Sequence, residues 1–180
     1  MSIEQGGYEW EQLALPDCDY LGAYRDVGPD MEAVLRLRFA SGDVLGEVPD
    51  SIDDATVQAS IEHLRDSASN IFACRDAQGG IAAAMITQQN GEHLRIASLA
   101  VRERSRTKGL GTSALRFVSL LAREQGIQKI VGDATPNPRT LAFYQKNGFN
   151  VGEPGDEWTI PILGYTENVL RATTVETEVA

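Results

Sequence analysis

The chain has 180 residues, 42% of them hydrophobic and 23% charged, which suits one globular domain with a single core and argues against two separate domains. No apolar run reaches the roughly 18 residues of a membrane-spanning helix, and the opening MSIEQGGYEWEQ has neither a basic n-region nor an apolar h-region, so a cytoplasmic protein with no membrane partner is expected. A net charge of -10 would repel nucleic-acid phosphates and fits a cationic small molecule or a basic peptide better, although an acidic surface also serves solubility alone.

In chain order, residues 8–15 (YEWEQLAL) and 20–27 (YLGAYRDV) read as short strands separated by a turn at Pro16 and Asp17. From Asp30 to Ala40 the positions Met31, Val34, Leu35 and Phe39 recur at helical spacing. A second helix carries Val57, Ile61, Leu64 and Ala68 on one face, and the spacing of Ser51 and Asp54 suggests a capping box at its start. The period then changes. NIFACRD and IAAAMITQ, joined through Gln78, Gly79 and Gly80, read as an antiparallel hairpin, and HLRIASLAV as a third strand.

Gly109 to Gln125 is the strongest helical pattern, with Leu110, Ala114, Val118, Leu121 and Ala122 as its core stripe and Gly126 as its C-terminal stop. The strand IQKIVGDA follows. Asn137 can cap a short helix with Pro138 in its first turn, and Gly148 ends it. FNVGE and EWTIPIL read as the last strands, leaving residues 1–165 as one domain and 166–180 as a loosely ordered polar tail. Strands and helices so mixed predict an α/β (α+β) chain, a mixed sheet flanked by helices. Cys18 and Cys74 are far apart and lack ligand spacing, so two reduced thiols and no metal are expected.

The most informative stretch is Val101 to Thr112, V-R-E-R-S-R-T-K-G-L-G-T, which joins an apolar strand to a long helix through a basic loop containing glycine. The first N–H groups of a helix lack internal partners and point along its axis, and Gly109 and Gly111 would let an anion approach them. Arg106 and Lys108 add positive charge. A helix terminus contributes only about 0.3 to 2 kcal/mol to an anion, whereas micromolar binding needs roughly 8 kcal/mol, so a long ligand with a pyrophosphate fits better than bare phosphate. The loop lacks the GxxxxGK[ST] of a triphosphate site and the three-glycine dinucleotide fingerprint. A plain helix-start loop is the bland alternative.

A second block, N-P-R-T-L-A-F-Y-Q-K-N-G-F from Asn137 to Phe149, stands at a suitable distance. Together the blocks resemble the GNAT superfamily of N-acetyltransferases, which is recognised by an [RQ]xxGx[GA] loop, here Arg106 to Gly111, and by an Asn followed by an FYxKxGF-like segment, here Asn137 and Phe143 to Phe149. The resemblance extends from about His93 to Leu163. It implies a mostly antiparallel twisted sheet of about six to seven strands with about four helices, and acetyl-CoA as cosubstrate. It implies that the pyrophosphate sits on Arg106, Thr107, Lys108, Gly109, Leu110, Gly111 and Thr112. The pantetheine would run beside Leu99, Ala100 and Val101 into a splay between the strands ending at Val101 and near Asp133, with Asn137 on its flank. Tyr144 would lie near the sulfur. A homodimer is compatible with the family.

The chemistry favours these residue types. Acyl transfer to an amine needs a neutral nucleophile, a donor at the oxygen that gains charge, and a proton for the departing thiolate. The N–H of Val101 would be that donor, and a phenol with an ordinary pKa of about 10, such as Tyr144, keeps its proton at neutral pH and can give it to a thiolate. The competing reading of Tyr144 is a core aromatic beside Leu141 and Phe143.

Many family members carry a glutamate base six residues before the position of Val101; here it is Arg95, which cannot accept a proton. Another base through water, an amine already neutral, or His93 on the same strand face would have to serve, and a surface histidine is the blander reading of His93. Glu103, Ser105 and Thr107 are smaller departures from the family pattern. Asp43, Glu47, Asp50, Glu153, Asp156 and Glu157 fall in the two regions that border the acceptor pocket in the family. They would attract a polyamine, an aminoglycoside-like molecule or a lysine-rich peptide, whereas Arg95 would favour an acceptor that also bears a carboxylate. The expected activity is N-acetyl transfer to a small-molecule amine or a basic peptide; the alternative is a non-catalytic acyl-CoA sensor or scaffold.

Overall fold

A computed structural model describes residues 2–5, 8–13, 30–38, 52–106, 109–153 and 159–174. The strand expected at 20–27, the turn at Pro16 and Asp17, Cys18, Thr107, Lys108 and the acidic residues Asp43, Glu47, Asp50, Asp156 and Glu157 lie outside the described residues.

Strands β1 (Ser2–Gln5) and β2 (Tyr8–Leu13) open the sheet. Helices α1 (30–38) and α2 (Asp54–Asp66) follow, then the meander β3 (Ser69–Arg75), β4 (Ile81–Asn90) and β5 (His93–Val101). A 3-10 turn, Glu103–Ser105, leads to α3 (Leu110–Glu124), β6 (Lys129–Ala134) and α4 (Pro138–Lys146). The chain continues through β7 (Phe149–Val151), β8 (Ile160–Tyr165) and α5 (Thr166–Thr174). The described strands form one sheet of eight in the order β1-β2-β3-β4-β5-β6-β8-β7, with β5–β6 its parallel contact and every other pairing antiparallel. The mixed, mostly antiparallel architecture agrees with expectation. The strand and helix counts are larger because β1 and α5 carry little pattern of their own.

Two cores lie on opposite faces of the sheet. Under α3, Phe117 stacks near Trp10 at 5.9 Å and meets the edge of Phe72 at 4.9 Å. On the other face Met31, Val34, Val57, Ile61 and Leu64 of α1 and α2 cover Ile71, Ala84 and Ile86. Strand β4 is therefore buried on both sides, which explains why IAAAMIT shows an unbroken apolar run instead of alternation. All five residues of the expected α3 stripe are buried, and Gly126, at φ 70°, ends that helix.

Two local expectations are corrected. The cap of α2 is Asp53, whose carboxylate accepts from the Thr56 N–H at 2.8 Å, and Ala68 lies past the helix end at φ 48°. Residues 166–174 are helical: Val169 and Leu170 are buried, with Val169 in the core under α3, so the amphipathic pair outweighs the polar composition that suggested a loose tail.

Candidate active site

The site begins with an irregularity in β5. Its register against β4 runs from Ile86↔Ser98 to Thr87↔Ile96, so Ala97 is an extra, bulged residue. A bulge reverses which side chains face which side. Leu94 and Ile96 belong to the core under α3, and after Ala97 it is Leu99 and Val101 that pack against that core, while Ala100 is buried in the opposite one.

The same point is where β5 and β6 part. Their parallel pairing ends at Ile96↔Gly132, although β5 continues to Val101 and β6 to Ala134. The N–H of Arg102 donates to the Ala82 carbonyl at 2.9 Å, which makes the neighbouring Ala83↔Val101 pair a non-hydrogen-bonded one. By alternation Met85↔Leu99 is another, so the backbone groups of Leu99 and Val101 point away from β4 into the gap left by β6. The Val101 carbonyl accepts from Arg106 Nε at 3.2 Å, leaving the N–H of Val101 and both groups of Leu99 towards the opening. Ala100 pairs towards Ala84, and its expected contact in the gap is corrected by this register.

A cleft of about 580 Å³ continues from the gap to the start of α3. Leu99, Val101, Arg106, Gly109, Gly111, Thr112, Asn137 and Tyr144 line it, so most of the residues singled out from the sequence come together. Leu110 is buried and can offer only its backbone N–H. The two glycines differ in role. Gly109 caps α3 at φ 75°, and a side chain there would project into open space, as an approaching ligand requires. At Gly111 a Cβ would lie 2.9 Å from Phe143 Cζ, so this glycine serves the contact of α3 with α4.

Asn137 accepts the Arg139 N–H at 2.9 Å through its side-chain carbonyl and so caps α4. The helix sets Tyr144 between Phe143 and Phe149, edge-on at 5.2 and 5.4 Å. Tyr144 is thus a core aromatic and a wall of the cleft at once; the two readings of it are compatible. Arg139 and Lys146 also line the cleft, giving it with Arg106 three cations and no carboxylate among its described walls. Lys146 is the lysine of the FYxKxGF-like segment and Arg139 lies before that segment; neither is assigned to the cosubstrate from the sequence, because only the folding of α4 along the cleft brings them there.

His93 is not brought to this cleft. It pairs with Lys129 at the beginning of β5, six residues and about 20 Å of strand from Leu99. With Arg95 it lines a separate groove, where Arg95 bonds Asp133 at 2.6 Å. Any role as a base would therefore be exercised from this groove and not from the cleft of Tyr144. Glu153 is exposed just after β7.

The profile of the acetyltransferase (GNAT) family matches residues 35–149, which contain the divergent strands, the α3 start and Tyr144. The chain belongs to the GNAT acetyltransferase family. Solved structures share its fold. The PaiA N-acetyltransferase of Thermoplasma acidophilum, in complex with coenzyme A, has a TM-score of 0.63 at 13% identity over 88% of this chain and 98% of its own. A GNAT-family acetyltransferase from Staphylococcus aureus Mu50 gives 0.60 at 15% identity, covering 87% and 99%. The IAA acetyltransferase of Bacillus cereus ATCC 14579 gives 0.57 at 13%, covering 87% and 97%. Curated proteins yield no significant match. Among the described residues of this GNAT chain no helix is long and apolar enough to cross a membrane.

Proposed function

We propose that this chain is a cytoplasmic N-acetyltransferase that moves the acetyl group of acetyl-CoA directly to a primary amine of a small molecule or basic peptide. The observation that carries the reading is the convergence of three things on one cleft: outward backbone groups of Leu99 and Val101, the open α3 start at Gly109, and Tyr144. The residues fit the cosubstrate. The α3 N–H groups at Gly109 to Thr112, with Arg106, would hold the pyrophosphate, and Thr107 and Lys108 belong to the same loop in sequence. Leu99 and Val101 would extend the sheet with the pantetheine, and the side-chain amide of Asn137 would flank it.

When bound, acetyl-CoA supplies the thioester. The acceptor ammonium first releases one proton to solvent, since Arg95 cannot take it. The C–N bond then forms as the C–S bond breaks, with the Val101 N–H donating to the carbonyl oxygen as it gains charge. Tyr144 gives its proton to the departing sulfur, and the second proton of the amine nitrogen restores the phenol.

Thiol release on a panel of amines, with Tyr144→Phe alongside, tests the reading. Loss of the hydroxyl is expected to lower turnover by about 100- to 10,000-fold while calorimetric binding of coenzyme A stays within about threefold. Arginine at the usual glutamate position also supports a second reading, a non-catalytic acyl-CoA sensor. Tight binding with no turnover on any amine would favour it.

A further inference from the structure

The groove that holds Arg95 has an opening of about 580 Å³ of its own, on the sheet face opposite α3. Leu94, Ile96, Ile130 and Ala134 point into the core under α3, so His93, Arg95, Lys129, Val131 and Asp133, which alternate with them, point into the groove. Arg95 and Asp133 sit on either side of the Ile96↔Gly132 rung, the last before the strands part. Their ion pair, Nη2 to Oδ2 at 2.6 Å, therefore spans the mouth of the gap through which an acyl group would emerge.

From this placement we infer that the acceptor is an α-amino acid, an amine with a carboxylate on the adjacent carbon, which deepens the acetyltransferase reading and rests on it. Arg95 is half exposed and Asp133 more than a third exposed, so neither is used up by the other. A guanidinium has five N–H donors in a planar fork that matches a carboxylate, and Asp133 binds only one edge of it. The remaining oxygen of Asp133 can accept an ammonium or amine N–H. Cation and anion thus stand in contact, as the two ends of an amino acid do, with the amine end towards the gap. Lys129 and His93 lie further along the same groove, and Asp133 is the one carboxylate among its described walls. In a chain of net charge -10, that local balance disfavours a polyamine or lysine-rich peptide and favours an acceptor with an anionic group. Val131 and Leu163 supply an apolar wall for the acceptor's side chain.

The test is thiol release from acetyl-CoA with the common L-amino acids, their α-carboxamides and the amines left by loss of the carboxylate. The best amino acid is expected to exceed its carboxamide and its plain amine by about 10- to 100-fold in kcat/KM. Arg95→Gln should erase that preference mainly through KM, and Arg95→Lys should restore part of it. A pair that merely staples the two strands would instead lower turnover on every acceptor alike, and that result overturns the inference. So does faster turnover of plain amines, or no turnover of any amino acid. Calorimetry with coenzyme A separates the two possible failures: binding with only plain amines used rejects the substrate class alone, whereas no binding rejects acetyl transfer with it.

Discussion

At the scale of single residues, the two glycines of the α3 start predict opposite outcomes for the same substitution. Gly109→Ala places a methyl in the open cleft and holds an L-residue at φ 75°, at about 1 kcal/mol of strain. Coenzyme A affinity should fall by more than thermal stability does. Gly111→Ala drives a methyl against Phe143, so melting temperature should fall first and affinity only through the displaced α4. Melting curves and calorimetry on both variants check this. A second residue-level effect lies at the β2–β3 contact. Burial, reinforced by Glu11 and Glu9, pushes the Cys74 thiol up to about 11, and burial followed by the Cys74 charge raises Tyr8. Both groups are protonated in folded and unfolded chains below their ordinary ranges. As pH rises from about 9 towards 11 the unfolded chain loses these protons while the fold resists doing so, and stability should decline. Melting temperature against pH should show that decline, and Cys74→Ala should flatten it.

At the scale of elements, α5 offers the clearest test. A chain ending at Tyr165 removes two buried side chains, Leu170 and Val169, and uncovers the core that Val169 joins. Burial of two such side chains contributes about 3 to 6 kcal/mol, so the melting temperature should fall by roughly 10 °C. No drop would mean that α5 is only loosely attached. This element escaped the sequence because T-E-N-V-L-R-A-T-T has two large apolar residues and its partner, α3, is remote in the chain. Outside α2, whose cap is Asp53, caps and stripes were legible because they are local: Asn137, Pro138, Gly126 and the α3 stripe all sit where their chemistry requires. The bulge at Ala97 left a mark that regular alternation hides. Large apolar residues occupy even positions at Leu94 and Ile96 and odd positions at Leu99 and Val101, and that change of parity is the bulge itself. A uniform strand would put Arg95 on the face of Leu99, and the inversion is what separates the groove of Arg95 and His93 from the cleft of Tyr144.

At the scale of the whole molecule, one sheet bears the cleft of Tyr144 on one face and the groove of Arg95 on the other. Arg106, Arg139 and Lys146 make the cleft cationic within a chain of net charge -10, which favours an anionic cosubstrate there. Acetyl transfer as proposed depends on that cleft. Amide chemical shifts recorded while coenzyme A is titrated into the labelled protein test it most directly. Saturable shifts should be largest at Leu99, Val101, Gly109, Gly111 and Thr112, and small at Ala84 and Ala100, whose backbones face each other, and at Ala83, whose backbone faces β3. Absence of saturation, or shifts centred away from the β5 end and the α3 start, would contradict it.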